Sequence, residues 1–393
     1  MPNSKRAEFP RPDLITTTAA LSALCERLAR ETFVTVDTEF MRERTYWPEL
    51  CVVQLASDSE VAVVDAIAPG LDLAPLGELL ANQAVMKVFH AARQDVEIFV
   101  LLFGDVPRPI FDTQIAAMVA GFGDQVGYDA LVSSLTGGQI DKAHRFSDWS
   151  ARPLSPAQVT YAAADVTWLR RVYEKLCERL DKDGRLDWVS EEMAALADAS
   201  TYRANPETMW ERLRPRTNNR RMLGMLRAVA AWREREAQRS NIPRQRMLKD
   251  EALLEIAATA PADAEQLARA RGVTKGFADG KTGTSLLAAL AEARSLPDDA
   301  MPELPNHRDG PKASPALVSL LKVLLAAKCE QFNVAPKLVA NSEDIDRLAT
   351  DPAPDIACLT GWRADVFGTD AMALKSGALA LGVDGKRIKL IRS

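Results

Sequence analysis

With three histidines in 393 residues and five cysteines that form no CxxC pair, this chain lacks the imidazole and thiolate groupings that hold zinc. The cysteines, Cys25, Cys51, Cys177, Cys329 and Cys358, are odd in number and far apart. Reduced, mostly buried thiols are therefore expected rather than a disulfide framework. No apolar run reaches the length of a membrane span, and the N-terminal stretch MPNSKRAEFPRPD has no apolar signal region. Insertion and secretion are unsupported, and a cytoplasmic location is expected. The pattern GxxxxGK[ST] is missing, which argues against a nucleotide-driven motor. Nothing resembles an extended coiled-coil seam or an apolar interface strip, so a monomer is expected.

What is present is the composition of an ordinary globular protein, 47% hydrophobic and 26% charged, long enough for two or three domains. The net charge of −5 conceals an asymmetry. Residues 201–249 hold 13 Lys+Arg against 4 Asp+Glu, a local excess of 9 positive charges on an otherwise acidic chain. Such a stretch is either a solvated helix surface or a contact for a polyanion.

Along residues 1–195 the pattern is mixed α/β. Helical periodicity at 16–31 is followed by β-rich runs at 33–40, 51–57 and 61–67, the last two joined by a hairpin-length link, and by a buried strand at 85–91. Helices are expected at 93–103, 112–121, 129–136 and 156–182, giving a mixed sheet flanked by helices. Beyond residue 195 only amphipathic helical patterns remain, so helical domains are expected at 203–296 and 313–393. The Pro- and Asp-rich stretch 297–312 is the candidate linker.

Candidate chemistry is carried by acids. In VDTEF (36–40), strand alternation puts Asp37 and Glu39 on one face with Thr35, so two like charges sit side by side at a strand end. They suit either a solvated terminus or a cation site. Asp95 falls on the apolar side of the helix starting near Arg93; it suits a metal ligand or a helix-dipole acid. Ser155, Pro156 and Gln158 mark a capped helix on which Tyr161 and Asp165 share an inward stripe with Leu169, Val172 and Leu176. Tyr161 by itself reads equally as a packed aromatic. Asp112 is expected to cap a helix rather than serve as a fifth ligand. Converging from a strand end, a helix start and a capped helix, four carboxylates could hold two divalent ions about 4 Å apart, an arrangement that cleaves phosphodiesters. Oxygen-only donors favour Mg²⁺ or Mn²⁺.

VDTEF, HAARQDVEIF (90–99) and YAAADV (161–166) resemble the three motifs of the DEDD exonuclease superfamily, in the subclass with Tyr four residues before the last Asp. TYWPELCVVQLA (45–56) is similar to the ribonuclease D family, and 226–257 and 359–377 look like two tandem HRDC domains. The resemblance implies a ribonuclease H-like α/β fold followed by two all-α HRDC-type domains. It implies a metal-dependent 3′→5′ exoribonuclease that releases 5′-mononucleotides and trims 3′ extensions of tRNA precursors and other small structured RNAs. Asp37, Glu39, Asp95 and Asp165 would be the ligands of two Mg²⁺ or Mn²⁺ ions, and Tyr161 would position the attacking water. Given an RNA substrate, Arg212, Arg214, Arg216, Arg220, Arg221 and Arg244 become candidate phosphate contacts, with Phe40 or Trp47 as candidate stacking groups. His90 is expected to be structural. A DNA exonuclease shares these motifs and is the alternative substrate reading; an inactive RNA-binding scaffold is opposed by five intact catalytic positions.

Overall fold

The computed structural model describes residues 10–141, 143–303 and 313–392; most of the expected linker, together with His307, lies outside them. Two compact units partition the chain. One comprises the chain up to Glu39, Leu50–Ala199 and the C-terminal region; the other comprises Phe40–Glu49 and the helical stretch from Ser200. Among the described residues no helix is long and apolar enough to cross a membrane.

The first unit is built on a six-stranded sheet of order β1-β4-β3-β2-β5-β6, with β1 Asp13–Ile15, β2 Phe33–Met41, β3 Glu49–Ala56, β4 Val61–Asp65, β5 Met86–Phe89 and β6 Ile110–Asp112. β3 and β4 pair antiparallel across the short link read from the sequence. β1 lies parallel to β4, β5 to β2, and β6 to β5. Val34 and Val36 of β2, Val52 and Val53 of β3 and Val63 and Val64 of β4 are fully buried. Burial on both faces is what flanking helices produce, and it explains why these strands read as continuous apolar runs. β1 and β6, three residues each, are too short to show a period and were not expected.

Helices α1 Thr18–Leu28, α2 Ala74–Ala81, α3 Arg93–Phe103, α4 Thr113–Val119, α5 Tyr128–Thr136, α6 Pro156–Lys182 and α7 Leu186–Leu196 cover the sheet. The expected capping box opens α6: Ser155 Oγ accepts from Gln158 N at 3.2 Å and Gln158 Oε1 accepts from Ser155 N at 3.0 Å. Its far half buries Leu169, Val172, Leu176 and Leu180 against α4, α5 and α7, so packing fixes the helix that carries Tyr161 and Asp165.

The second unit contains α8 Arg220–Ser240, α9 Arg244–Met247, α10 Asp250–Thr259, α11 Ala264–Leu267, α12 Lys275–Asp279 and α13 Lys281–Ser295. Leu223, Leu226, Val229, Leu253, Ile256, Leu286 and Leu290 form its core. The glycine-rich turn 272–283 has a packing reason. A Cβ on Gly283 would collide with the carbonyl oxygens of Phe277 and Ala278, so α12 and α13 can approach only with glycine there. The first residues of the expected linker are not free. Arg220 pairs with Glu303 at 3.1 Å, Arg221 with Asp298 at 2.6 Å, and the Met301 side chain is buried against Gly224.

The C-terminal region holds α14 Pro315–Phe332, α15 Pro336–Val339, α16 Ser342–Thr350 and α17 Gly361–Arg363, which continues through a π turn into α18 Thr369–Ser376. It departs from the all-helical expectation by ending in a hairpin, β7 Leu379–Asp384 with β8 Arg387–Arg392. It is also not a body apart. Trp362 stacks on Trp188 of α7 at 4.5 Å, Arg363 pairs with Glu192, and Ala335 N donates to Met118 O of α4 at 3.0 Å. Separation in sequence by a Pro-rich segment thus did not mean separation in space.

Candidate active site

Asp37 and Glu39 stand on β2 as strand alternation requires, on the face with Thr35, whose hydroxyl donates to Val166 O of α6 at 2.8 Å. That bond presses the strand face against the turn of α6 that presents Asp165. Thr38, out of phase by one residue, donates instead to Asp95 Oδ1 at the start of α3. The two faces of one strand segment therefore gather acids from two helices.

The turn before α3 is shaped by Asp112. Its carboxylate accepts from Ala91 N at 2.9 Å and Ala92 N at 2.8 Å, and it caps α4 through Gln114 N at 2.8 Å. Ala91 takes φ +58°, so these bonds hold a non-glycine residue in the left-handed region. Asp112 is the expected helix cap, and it also sets the start of the helix bearing Asp95.

Asp37, Glu39, Asp165 and Tyr161 line a cleft of about 310 Å³ with Thr38, His90, Tyr128 and Arg145 among the other lining residues. Asp95 is buried beside it, near enough for its charge to act on Glu39 and for that of Asp37 to act on Asp95. The acids pay heavily for this company. Burial, then Asp37, Asp165 and Asp95, push Glu39 up to about 9. Asp165 is pushed up to about 7 by burial. Asp37 is raised well above the usual range by burial and by Asp165, and Asp95 by burial and by Asp37. No basic side chain among the described residues lowers any of the four, although Arg145 lines the cleft. Among the described residues no three such side chains already converge on one metal-sized point, so the acids share a cleft rather than a closed coordination sphere.

Burial, then the charges of Asp165, Glu39 and Asp37, also raise Tyr161, with Arg145 opposing. Its phenol keeps its proton and can donate a hydrogen bond. The His144 and Trp149 rings lie 6.1 and 6.0 Å from the Tyr161 ring. The segment carrying Trp149 is braced by Arg152, which bonds Asp65 at 2.8 Å and Cys51 O at 2.9 Å.

The site is thus a set of oxygen donors gathered from β2, α3 and α6, and the chain as a whole is similar to known proteins. Residues 12–181 match a 3′-5′ exonuclease family model and residues 222–290 an HRDC domain model. The chain is 71% identical to ribonuclease D of Granulibacter bethesdensis over all of this chain and 99% of that protein. It is 67% identical to ribonuclease D of Gluconacetobacter diazotrophicus over the full length of both.

The chain belongs to the ribonuclease D family.

It is accordingly a 3′→5′ exoribonuclease with an α/β exonuclease domain and a helical HRDC region. The solved structure of Escherichia coli RNase D, described as an exoribonuclease involved in structured RNA processing, superposes with a TM-score of 0.80 at 29% identity, covering 94% of this chain and 99% of that one. The catalytic core of RRP6 from Trypanosoma brucei, at 22% identity and a TM-score of 0.53 over 72% of this chain, shares the fold.

Within this ribonuclease D fold the six candidate arginines separate into two groups. Arg220 and Arg221 pair with Glu303 and Asp298, and Arg244 pairs with the fully buried Glu234 at 2.7 Å. Arg212, Arg214 and Arg216 are exposed. Phe40 is half-buried, and the Trp47 indole donates to Gln238 O at 3.2 Å. His90 bonds Thr113 through Nδ1 at 3.0 Å, and burial lowers it to about 4, so it is a neutral, hydrogen-bonded wall of the cleft.

The sequence reading missed Thr38, Tyr128 and Arg145. Tyr128 donates from its hydroxyl to the backbone carbonyl of Asp165, and Arg145 is a basic residue lining the acidic cleft. Thr38 sits between the two motif acids and could have been flagged there. Nothing local marks Tyr128 or Arg145, since both reach the cleft only by tertiary folding.

Proposed function

We propose that this chain hydrolyses the 3′-terminal phosphodiester of RNA with two divalent ions, Mg²⁺ or Mn²⁺, held by Asp37, Glu39, Asp95 and Asp165, releasing 5′-mononucleotides and trimming 3′ extensions of tRNA precursors and other small structured RNAs. The observation that carries this is the acidic cleft itself: Asp37, Glu39 and Asp165 line it and Asp95 is buried beside it, oxygen donors whose charges raise one another. Such a donor set suits a hard divalent cation. When bound, the ions supply activation of the attacking water and neutralisation of the leaving 3′-oxygen.

The remaining work falls to the chain. Thr35 and Thr38 fix β2 between α6 and α3, Asp112 sets the start of α3, and Tyr128 holds the α6 backbone at Asp165. Tyr161, which stays protonated, donates to the attacking water and orients it. The test of this role is Tyr161→Phe, expected to lower kcat by about 100-fold with KM for RNA little changed, since positioning acts in the transition state. A variant within a factor of two of the parent would remove Tyr161 from the reaction.

The activity is tested with matched RNA and DNA oligonucleotides labelled at either end, in Mg²⁺, Mn²⁺ or chelator. Stepwise loss from the 3′ end of RNA, stopped by chelator, is expected. DNA degraded faster than RNA would reassign the substrate, and turnover in chelator would end the metal reading.

We assign phosphate contact to Arg212, Arg214 and Arg216, which are exposed and carry no ion pair among the described residues. Replacing all three with alanine is expected to weaken RNA binding and to flatten the slope of log affinity against log salt by about 2, at ~0.7 per contact. An unchanged slope would return the three to the solvated surface.

A further inference from the structure

The loop that follows Glu39 is tied down by a buried polar cluster that the hydrolytic chemistry does not use. β2 ends at Met41, and five residues later Tyr46 is 7% exposed. Its hydroxyl donates to Glu234 Oε1 on α8, and Gln238 Nε2 donates to the same hydroxyl at 3.1 Å. Asn241 Oδ1 accepts from the backbone N–H groups of Tyr46 and Trp47, both at 3.0 Å. Glu234 is wholly buried and its carboxylate is closed off by Arg244, which donates from Nε at 3.0 Å and from Nη2 at 2.7 Å.

Glu234, Gln238 and Asn241 are spaced by four and three residues, which sets them in one row along α8. Asn241 ends the helix at φ +51°, a left-handed conformation that asparagine tolerates and that turns its amide to the loop. A buried carboxylate is retained only where every oxygen is satisfied, and here the partners are a loop tyrosine and an arginine from the next helix. Apolar side chains would pack the same space more simply. The cluster instead gives the loop one defined register, a documented use of buried polar groups.

We propose that Tyr46, Glu234 and Asn241 are positioning residues for Glu39: α8, a helix of the HRDC-matched region, holds the loop that leaves β2 and thereby restrains the strand end carrying one of the metal-binding acids. The route is covalent, from Glu39 through Phe40 and Met41 into a loop fixed at Tyr46 and Trp47. It gives α8 a part in the hydrolytic step. This inference rests on the metal-site reading of Asp37 and Glu39.

The test uses the full chain and measures Mn²⁺ binding directly, by titration calorimetry or by the electron paramagnetic resonance signal of free Mn²⁺, alongside turnover of a short 5′-labelled RNA. Tyr46→Phe and Asn241→Ala are each expected to weaken Mn²⁺ binding about 5-fold or more and to lower kcat about 10-fold at subsaturating Mn²⁺, with KM for RNA within a factor of two. Excess Mn²⁺ should recover most of the turnover. Glu234→Gln, which keeps an acceptor for the tyrosine, should be milder than Glu234→Leu, and thermal melting confirms that each variant is folded. Folded variants with parental Mn²⁺ affinity and kcat would reduce the cluster to packing and overturn the proposal. A raised KM with unchanged Mn²⁺ affinity would make the loop an RNA contact and overturn it equally. A parent protein that binds no Mn²⁺ would instead overturn the metal reading beneath it.

Discussion

Asp37→Asn is expected to abolish exonuclease activity, by roughly a thousandfold or more in kcat, while leaving the protein folded. The size of the loss follows from where the side chain stands. Asp37 is half-buried, its charge acts on Glu39, Asp95 and Tyr161, and it lines the cleft with Asp165. An amide keeps the shape but removes one of the negative charges that compensate a bound cation, and groups acting as a unit lose far more than a single contact when one is removed. The same change should raise the melting temperature of the metal-free protein, because it deletes a charge that repels its neighbours. Asp165→Asn should behave alike. Single-turnover kinetics and melting in chelator check both halves. A variant with parental turnover would show that the chemistry lies elsewhere, and an inactive variant that melts earlier than the parent in chelator would show that Asp37 is a structural acid.

The second large effect is on stability, and its sign is opposite to that of most carboxylates. Glu39 is raised to about 9 and Asp165 to about 7, so the folded, metal-free protein retains protons that the unfolded chain has already released. A group raised in this way contributes stability that is complete below its unfolded value and is lost as pH climbs through the folded one. His90 works the other way, lowered to about 4, but that contribution is complete by its unfolded value of about 6.5. Lys87, lowered to about 8 by burial, opposes the trend above that value. Between pH 6.5 and 8 the acidic cluster therefore governs, and metal-free stability should fall across this window. Divalent ions bind the folded state alone and displace those protons, so they should stabilise most at the alkaline end, by about 2.7 kcal/mol at a hundred times Kd. Glu39→Gln should flatten the metal-free profile. Melting curves from pH 6 to 8, with chelator or Mn²⁺, decide it; a metal-free melting temperature that rises over the window would sink the account.

Several elements of this protein could be read from its residues alone. The strand carrying Asp37 and Glu39, the capping box of α6 and the stripe that turns Tyr161 and Asp165 inward are local patterns, and the structure contains each of them. So is the helix cap at Asp112, whose additional hold on the turn before α3 is not local and was not legible. β1 and β6 were lost because three residues carry no period, and the hairpin at Leu379–Arg392 was lost beneath a helical reading of its neighbourhood.

What the sequence by itself determined is the candidate chemistry: which acids and which phenol could carry it, and which family they resemble, because side-chain identity and i, i+2 or i, i+4 spacing are properties of the chain. What only the tertiary structure decided is company. It sent three of six arginines into ion pairs, tied Trp47 and Tyr46 to α8, brought Arg145 and Tyr128 to the cleft, and joined the C-terminal helices to α4 and α7 across a segment that reads as a linker. The reason is physical. A charged or aromatic side chain has many adequate partners, and which one it takes depends on desolvation and packing over long separations, which no short-range pattern encodes.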